Sequence, residues 1–488
     1  MTSIDEFSFP WRRRGDQEPR SSWSAAWVIL LICWAGASAV WPRVGGLGGV
    51  VLVAAVAWRY PLSAMHAASF AALAIRPALD WLSERRLGLG PFTLSPAVIF
   101  GGLILITGVV LALRRGHDGR RLWPDRPLAA AHVWLAIAYA IMVFSGWHWY
   151  GSQGIAEAVR EVLRMASVIA AFFIMYWWLD EDPPARRRAW WYLALGAVLP
   201  IAVSMGQLMT GTGFVEPDGT LRIQGTFSHP NSFAQYLIPF VCLLVAGRGK
   251  RTVRLSVAVA LSVIIALTYS RTAILALAAA LVILLLLESR LDFRRLVQLV
   301  VGVTMVAGVA WVLVGGIITQ RFAGIAFNSA SWQDALAGQS ENSFQWRIIN
   351  WSGLVLLGLN HPWLGHGAGM TTVLNPLINS DNGVPFNAHD DYVRLFFEGG
   401  AVSLVCYVIY QALLIVWVIR RSRAVGEAQR GPLLALGASL CGMTFLTAGT
   451  TELSLQTANL YVLYGLLAIA SADAPSHMPE SATPDAAS

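Results

Sequence analysis

The stretch "FNAHDDYVRLFFEGG", residues 386–400, runs directly into an apolar segment, 400–419, that carries no charge before Arg420. Ten of its positions hold His389, Asp390, Asp391, Arg394 and Glu398. A polar helix start followed by some twenty apolar residues is the pattern of a helix entering a bilayer from its surface. A hydrocarbon core of about 30 Å takes roughly 20 residues of helix.

Working outward, similar apolar runs recur between Ser24 and Ser471, and hydrophobic residues make up 56% of the 488 positions against 13% charged. No open sheet satisfies its backbone in lipid, so the expected fold is all-α, a polytopic inner-membrane bundle of about fourteen helices, with spans near 24–41, 130–146, 164–179 and 297–316 among them. Residues 1–23 form a polar cytoplasmic segment with a basic cluster at Arg12, Arg13 and Arg14, and the run after them reads as a retained first helix rather than a cleaved signal. Residues 24–188 are N-terminal membrane helices. Residues 189–471 form a second set that includes one large external loop, 317–399, and residues 472–488 read as a disordered tail.

The net charge of +7 comes from arginine, with Lys250 the single lysine. Most of it falls in clusters such as "ARRR", "GRGKRTVR" and "RRSRAVGEAQR", which alternate with apolar runs so that the positive-inside rule puts them in the cytoplasm. The excess therefore reports topology rather than nucleic-acid binding. Arg222, Arg271, Arg321, Arg347 and Arg394 fall on the opposite side. The four cysteines, Cys33, Cys242, Cys406 and Cys441, lie in expected spans without CxxC or Cys/His spacing, so neither a disulfide frame nor a zinc site is expected. The spans carry no Asp, Glu or Lys at their centres, and only His66 and His132 titrate near neutrality there. That counts against a proton-coupled transporter.

Chemistry concentrates at the outer boundary. In "LRIQGTFSHPNSFAQYL", 221–237, Pro230 suits a first helical turn, His229 or Ser228 caps it, Asn231 follows, and Gly225 permits a tight loop. A helix N-terminus beside Arg222 is an anion site in waiting. In "TYSRTAIL", 268–275, Ser270 caps a second such helix and Arg271 stands at its start, where a charge near hydrocarbon is costly without a role. Arg347 lies in "SFQWRIINWSGLVLLGLN", 343–360, expected as a helix on or dipping into the membrane. Three guanidinium forks at one boundary suit a diphosphate.

In the opening stretch Asn387 can cap a helix on which His389, Tyr392, Val393 and Phe396 share a face. Asp390, Arg394 and Glu398 follow one another at i, i+4 spacing, a ladder that would stiffen a short helix at the membrane surface. His389 stands outside that ladder. With a reference pKa of about 6.5, it is a candidate general base near neutral pH.

The ordered set "RIQGTFSHPNSFA", "SRTA", "WRIINW", "HPWLGHGAG" and "NAHDDYVRLFFEGG" resembles the bacterial O-antigen ligase and polymerase superfamily over Trp190 to Ser471. The resemblance implies a GT-C-like membrane glycosyltransferase at the periplasmic face that takes a glycan from an undecaprenyl-diphosphate carrier, with no cofactor, nucleotide sugar or metal. It implies that Arg222, Arg271 and Arg347 bind the diphosphate and that His389 is catalytic. Its partners would be the lipid-linked donor, a glycan or lipid A core acceptor, membrane lipids and other polysaccharide assembly proteins. Asp390 departs from the ligase pattern, which has Asn, Ser or Gln after the histidine, and so places polymerase ahead of ligase. A lipid-linked glycan flippase or exporter is the alternative of another class.

Overall fold

The structure, a computed structural model, describes residues 42–82, 87–89, 92–94, 96–182, 184–216, 219–247, 249–288, 343–378, 385–425, 427–447 and 457–472. The N-terminal segment 1–23, the expected spans 24–41 and 297–316, residues 317–342 of the large loop and the tail beyond Ala472 lie outside them.

Helix dominates. The first half comprises α1 (Pro42–Arg59), α2 (Pro61–Phe70, continuing through a π-turn into Arg76–Ala78), α3 (Pro96–His117), α4 (Arg126–Glu181) and α5 (Ala185–Thr210). The second comprises α6 (Pro230–Ala246), α7 (Arg251–Leu267), α8 (Arg271–Glu288), α9 (Ser343–Gly358), the single turn α10 (Thr371–Leu374), α11 (Asp391–Ala424), α12 (Glu427–Thr447) and α13 (Thr457–Ala472). Two short antiparallel hairpins interrupt them, β1 (Leu87–Leu89) with β2 (Phe92–Leu94) and β3 (Phe214–Val215) with β4 (Leu221–Arg222). Among the described residues α3, α4, α5 and α11 are long and apolar enough to cross a membrane. The chain is thus an all-α protein of membrane type.

Packing centres on α4, which touches α2, α3, α11 and α13. Gly151, at φ 57° and ψ −129°, divides it into two helices, as the separate spans 130–146 and 164–179 require. The first expected external residues and the arginine-rich turns part to opposite ends. At one end Arg115 pairs with Asp180 at 3.4 Å and with Glu181, and Trp417 donates to Asp125 at 2.6 Å. At the other end lie Arg222, Arg271, Arg347 and Arg394.

Helix α11 is also broken, at Gly400 (φ 65°, ψ −171°). The break withdraws two N–H groups and two carbonyls from the helical ladder, and the segment 362–367 takes up all four. Ala401 N–H donates to Pro362 O at 2.8 Å and Val402 N–H to Trp363 O at 3.3 Å, while His366 N–H reaches Phe397 O at 2.9 Å and Gly367 N–H reaches Glu398 O at 2.7 Å. Ala368 N–H then binds Met142 O on α4 at 3.1 Å, and the Ser145 hydroxyl binds Leu364 O at 2.5 Å. The glycines of "HPWLGHGAG" make this approach possible: a Cβ on Gly365 would stand 2.4 Å from the Glu398 carbonyl carbon.

Gly400 tests the seal. A Cβ there would lie 2.2 Å from the Trp363 carbonyl carbon, whereas Gly119, at φ 66°, has nothing within 4 Å. Gly119→Ala should cost only the left-handed backbone penalty of about 1–2 kcal/mol. Gly400→Ala should lower the thermal unfolding midpoint in detergent well beyond that, and equal shifts for the two variants would show that the 362–367 seal does not hold the break.

Candidate active site

Arg222 assembles the site. It is only 4% exposed. From β4 its Nε donates to Thr268 O at 2.7 Å, one Nη donates to Asn231 Oδ1 at 2.7 Å, and the other pairs with Glu216. One side chain thus joins the β3–β4 hairpin, the turn before α8 and the first turn of α6. That first turn is built as its sequence requires: Pro230 opens α6, and His229 caps it by accepting from Asn231 N–H at 3.1 Å through Nδ1. The neutral ring therefore carries its proton on Nε2. Ser270 caps α8, accepting from Ala273 N–H at 3.3 Å, and this places Arg271 at the first helical position.

Arg347 reaches the same place from α9. Burial lowers its pKa to about 10, and the neighbouring cations Arg271 and Arg222 push in the same direction, with Glu216 opposing. The guanidinium stays charged at neutral pH, but among charges of its own sign. Such crowding of cations favours an anion in their midst.

His389 faces this cluster. Its ring lies edge-on to Trp346 at 5.4 Å and makes no hydrogen bond among the described residues. Burial, then Arg347, then His229 hold its pKa down to about 4; burial, then Arg222, then Arg347 hold His229 to about 4 as well. Both imidazoles are therefore neutral at pH 7. The expected titration near 6.5 is corrected, because the sequence pattern carries neither the burial nor the adjacent cations.

The start of α11 also departs from expectation. Asp390, not Asn387, is the cap: its Oδ1 accepts from Tyr392 N–H at 2.7 Å and Val393 N–H at 2.9 Å. Burial raises the Asp390 carboxyl, and those two N–H groups oppose the shift. His389 consequently lies outside the helix, in left-handed backbone at φ 55°, and shares no helical face with Tyr392, Val393 and Phe396. Among the described residues only His389 and Tyr269 are non-glycine residues with positive φ, and both flank this site. Such strain persists only where the surroundings enforce it.

Those surroundings are visible. The Asn350 amide donates to Asn387 O at 2.9 Å and Ala388 O at 3.2 Å, and Trp351 Nε1 donates to Ala388 O at 3.0 Å. Asn375 donates to Asn350 Oδ1 and to Phe386 O, each at 2.7 Å. Three side chains thus grip the backbone just before His389. The "WRIINW" run contains two of them, Asn350 and Trp351, four residues or fewer from Arg347.

The ladder forms in part. Its Arg394–Glu398 rung is made, at 3.2 Å, while the Asp390 side chain serves the cap and Arg394 also binds Glu161 of α4 at 3.1 Å. Arg394 and Glu398 are 3% and 1% exposed, and Asp391 is 1% exposed at the head of the helix. This is a buried tie between α4 and α11, not a solvated face. Glu398 also accepts from the Thr371 hydroxyl at 2.8 Å. Glu161, Glu216, Asn350 and Asn375 were not singled out by the sequence. Only Glu216, on the hairpin that carries Arg222, left a local signal.

His366 and His132 serve packing. His366 sits between the Tyr150 hydroxyl at 2.6 Å and Leu357 O at 3.0 Å, and His132 binds Leu128 O at 2.8 Å. Among the described residues no group of three or more His, Cys, Asp and Glu stands ready to hold a metal. The side chains brought together suit an anion.

Residues 256–408 match the family described as O-Antigen ligase. The match supports the ligase and polymerase superfamily expected from the motifs, and with it a membrane enzyme of the glycosyltransferase type. The matched segment contains Arg271, Arg347, His389 and the Arg394–Glu398 pair. Arg222, His229 and Asn231 lie outside the match, yet the fold inserts them into the same site. Comparison with curated proteins gives no match.

NMR of ring-labelled histidine tests the electrostatics. His229 and His389 should be neutral at pH 7 with midpoints near 4, and Arg347→Gln should raise both midpoints, since its cation lowers both. Midpoints near the reference value of about 6.5 would contradict the buried arrangement.

Proposed function

We propose that the chain transfers an undecaprenyl-diphosphate-linked glycan at the periplasmic face, polymerising O-antigen or exopolysaccharide repeat units. The observation that carries this reading is the gathering of Arg222, Arg271 and Arg347, crowded with like charge, beside a neutral histidine whose ring makes no hydrogen bond among the described residues. Inner-membrane location, the periplasmic orientation of the site and the fourteen spans belong to the same reading, supported by the charge pattern of the loops.

The chemistry follows from the roles. The acceptor hydroxyl oxygen attacks the anomeric carbon, the bond from that carbon to the diphosphate oxygen breaks, and the electron pair leaves with the lipid diphosphate. Negative charge grows on the departing oxygen, where guanidinium forks and the α6 and α8 N-termini stabilise it. The hydroxyl proton passes to His389, neutral and therefore able to accept it. Arg271 and Arg347 are the diphosphate ligands. Arg222, already committed to Thr268, Asn231 and Glu216, contributes its charge and holds the turns in place. Asp390 and Asp391 start the helix behind His389, and Arg394 and Glu398 anchor it.

Transfer to lipid A core or protein by a ligase is the second reading, since the same constellation suits either acceptor. In a deletion strain, single-repeat glycan remaining at the cell surface identifies a lost polymerase, and long chains stranded on the lipid carrier identify a lost ligase.

In proteoliposomes with purified lipid-linked glycan, the wild type should form glycosidic bonds without ATP or a gradient. Movement of the glycan across the bilayer with no new bond would instead establish a flippase. Arg271→Ala should lose most activity, because a charge-assisted contact is worth about 1.5–3 kcal/mol, and Arg271→Lys should recover only part of it. His389→Ala should lose at least about 100-fold. In the wild type the acid limb of kcat/KM should lie well below pH 6, following the histidine held near 4, and a limb at 6.5 would point to another base.

A further inference from the structure

A cavity of about 360 Å³ adjoins the site, and its described lining includes none of the three arginines. Its volume falls within the range of about 300–1,000 Å³ usual for small-molecule sites. Residues from both halves of the chain build it: Arg76 and Asp80 from the end of α2, Arg160 and Arg164 from α4, and the starts of α3, α6 and α13. Ser228 and Ser232 line it while their neighbours His229 and Asn231 belong to the arginine cluster, and Asn387 lines it two residues before His389. The cavity and the proposed catalytic site therefore share two walls.

Its charge differs from that of the diphosphate site. Arg76 is bound to Asp80 at 2.9 Å, Arg160 to Glu157 at 2.7 Å and Arg164 to Glu161 at 3.0 Å. Each cation is locally balanced yet keeps further N–H donors, and Asp80, the serines, Asn387 and Asn459 add acceptors and donors around them. Planar forks beside carboxylate, amide and hydroxyl groups suit the vicinal hydroxyls of a sugar rather than a diphosphate, which needs unbalanced positive charge. The N-termini of α3 and α13 add donors to the lining.

We propose that this cavity binds the acceptor saccharide, holding its non-reducing end so that one hydroxyl is delivered past Asn387 to His389. The assignment rests on the glycosyl-transfer reading and deepens it. It divides the labour within the site: Arg271 and Arg347, with Arg222, hold the departing diphosphate, and the cavity between the N-terminal helices and the starts of α6 and α13 holds the incoming sugar.

The test measures binding of two probes to the purified full-length protein. One is the repeat-unit oligosaccharide released from its lipid carrier by mild acid; the other is undecaprenyl diphosphate. Ala97→Leu adds bulk to the cavity lining, and Arg160→Gln removes a cation whose side chain is 57% exposed and so dispensable for folding. Each variant should bind the oligosaccharide about tenfold more weakly, the scale of one charge-assisted contact, with undecaprenyl diphosphate bound as in the wild type. Arg271→Ala should show the reverse. Failure of the wild type to bind the oligosaccharide, wild-type saccharide affinity in Arg160→Gln, or parallel loss of both probes would overturn the assignment. Unchanged undecaprenyl diphosphate binding in Arg271→Ala would instead strike the transfer reading itself.

Discussion

The break in α11 at Gly400 is the constraint on which the site depends. A backbone interrupted beside hydrocarbon leaves donors and acceptors that water does not reach, and each must find a partner within the protein. The segment 362–367 supplies four. In doing so it locks the large loop to α11 and, through Met142 and Ser145, to α4. The short helix Asp391–Gly399 is thereby freed from the direction of the span that follows, and His389 is presented at its head rather than drawn along the membrane axis.

A second, electrostatic tie completes that placement. Arg394 bridges Glu398 on its own helix and Glu161 on α4. Removing one partner of a buried pair leaves an uncompensated charge, at a cost of about 3–5 kcal/mol. Asn350, Trp351 and Asn375 then fix the last three residues before His389, so its strained backbone is held by hydrogen bonds on one side and a buried ion pair on the other. Arginine has opposite uses within one site. Arg394 is neutralised and structural, whereas Arg347 stands beside Arg271 and Arg222, whose charges with burial lower its pKa against the pull of Glu216.

Much of this was legible in the sequence, and the limits are physical. Pro230 after a capping histidine, Ser270 before Arg271 and the helix around Arg347 followed from local rules of capping and periodicity, and each formed where expected. Asn387 and Asp390 are equally good caps by chemistry. The choice fell to tertiary hydrogen bonds from residues 350 and 375, which no local pattern carries. The Arg394–Glu161 pair joins positions 233 apart, so the expected surface ladder could not be told from a buried bridge. The histidine pKa was misjudged for the same reason: burial and nearby cations are properties of the assembled site. Spans 24–41 and 297–316 lie outside the described residues and remain sequence expectations.

The central claim is a division of roles, with arginines holding the diphosphate and His389 moving the proton. It is tested most directly by measuring, on one preparation of His389→Ala, the affinity for undecaprenyl diphosphate beside the single-turnover rate of glycan transfer. The account predicts wild-type affinity with the transfer step nearly lost. Affinity falling in step with the rate would contradict it, making His389 a diphosphate ligand and leaving the base to another group.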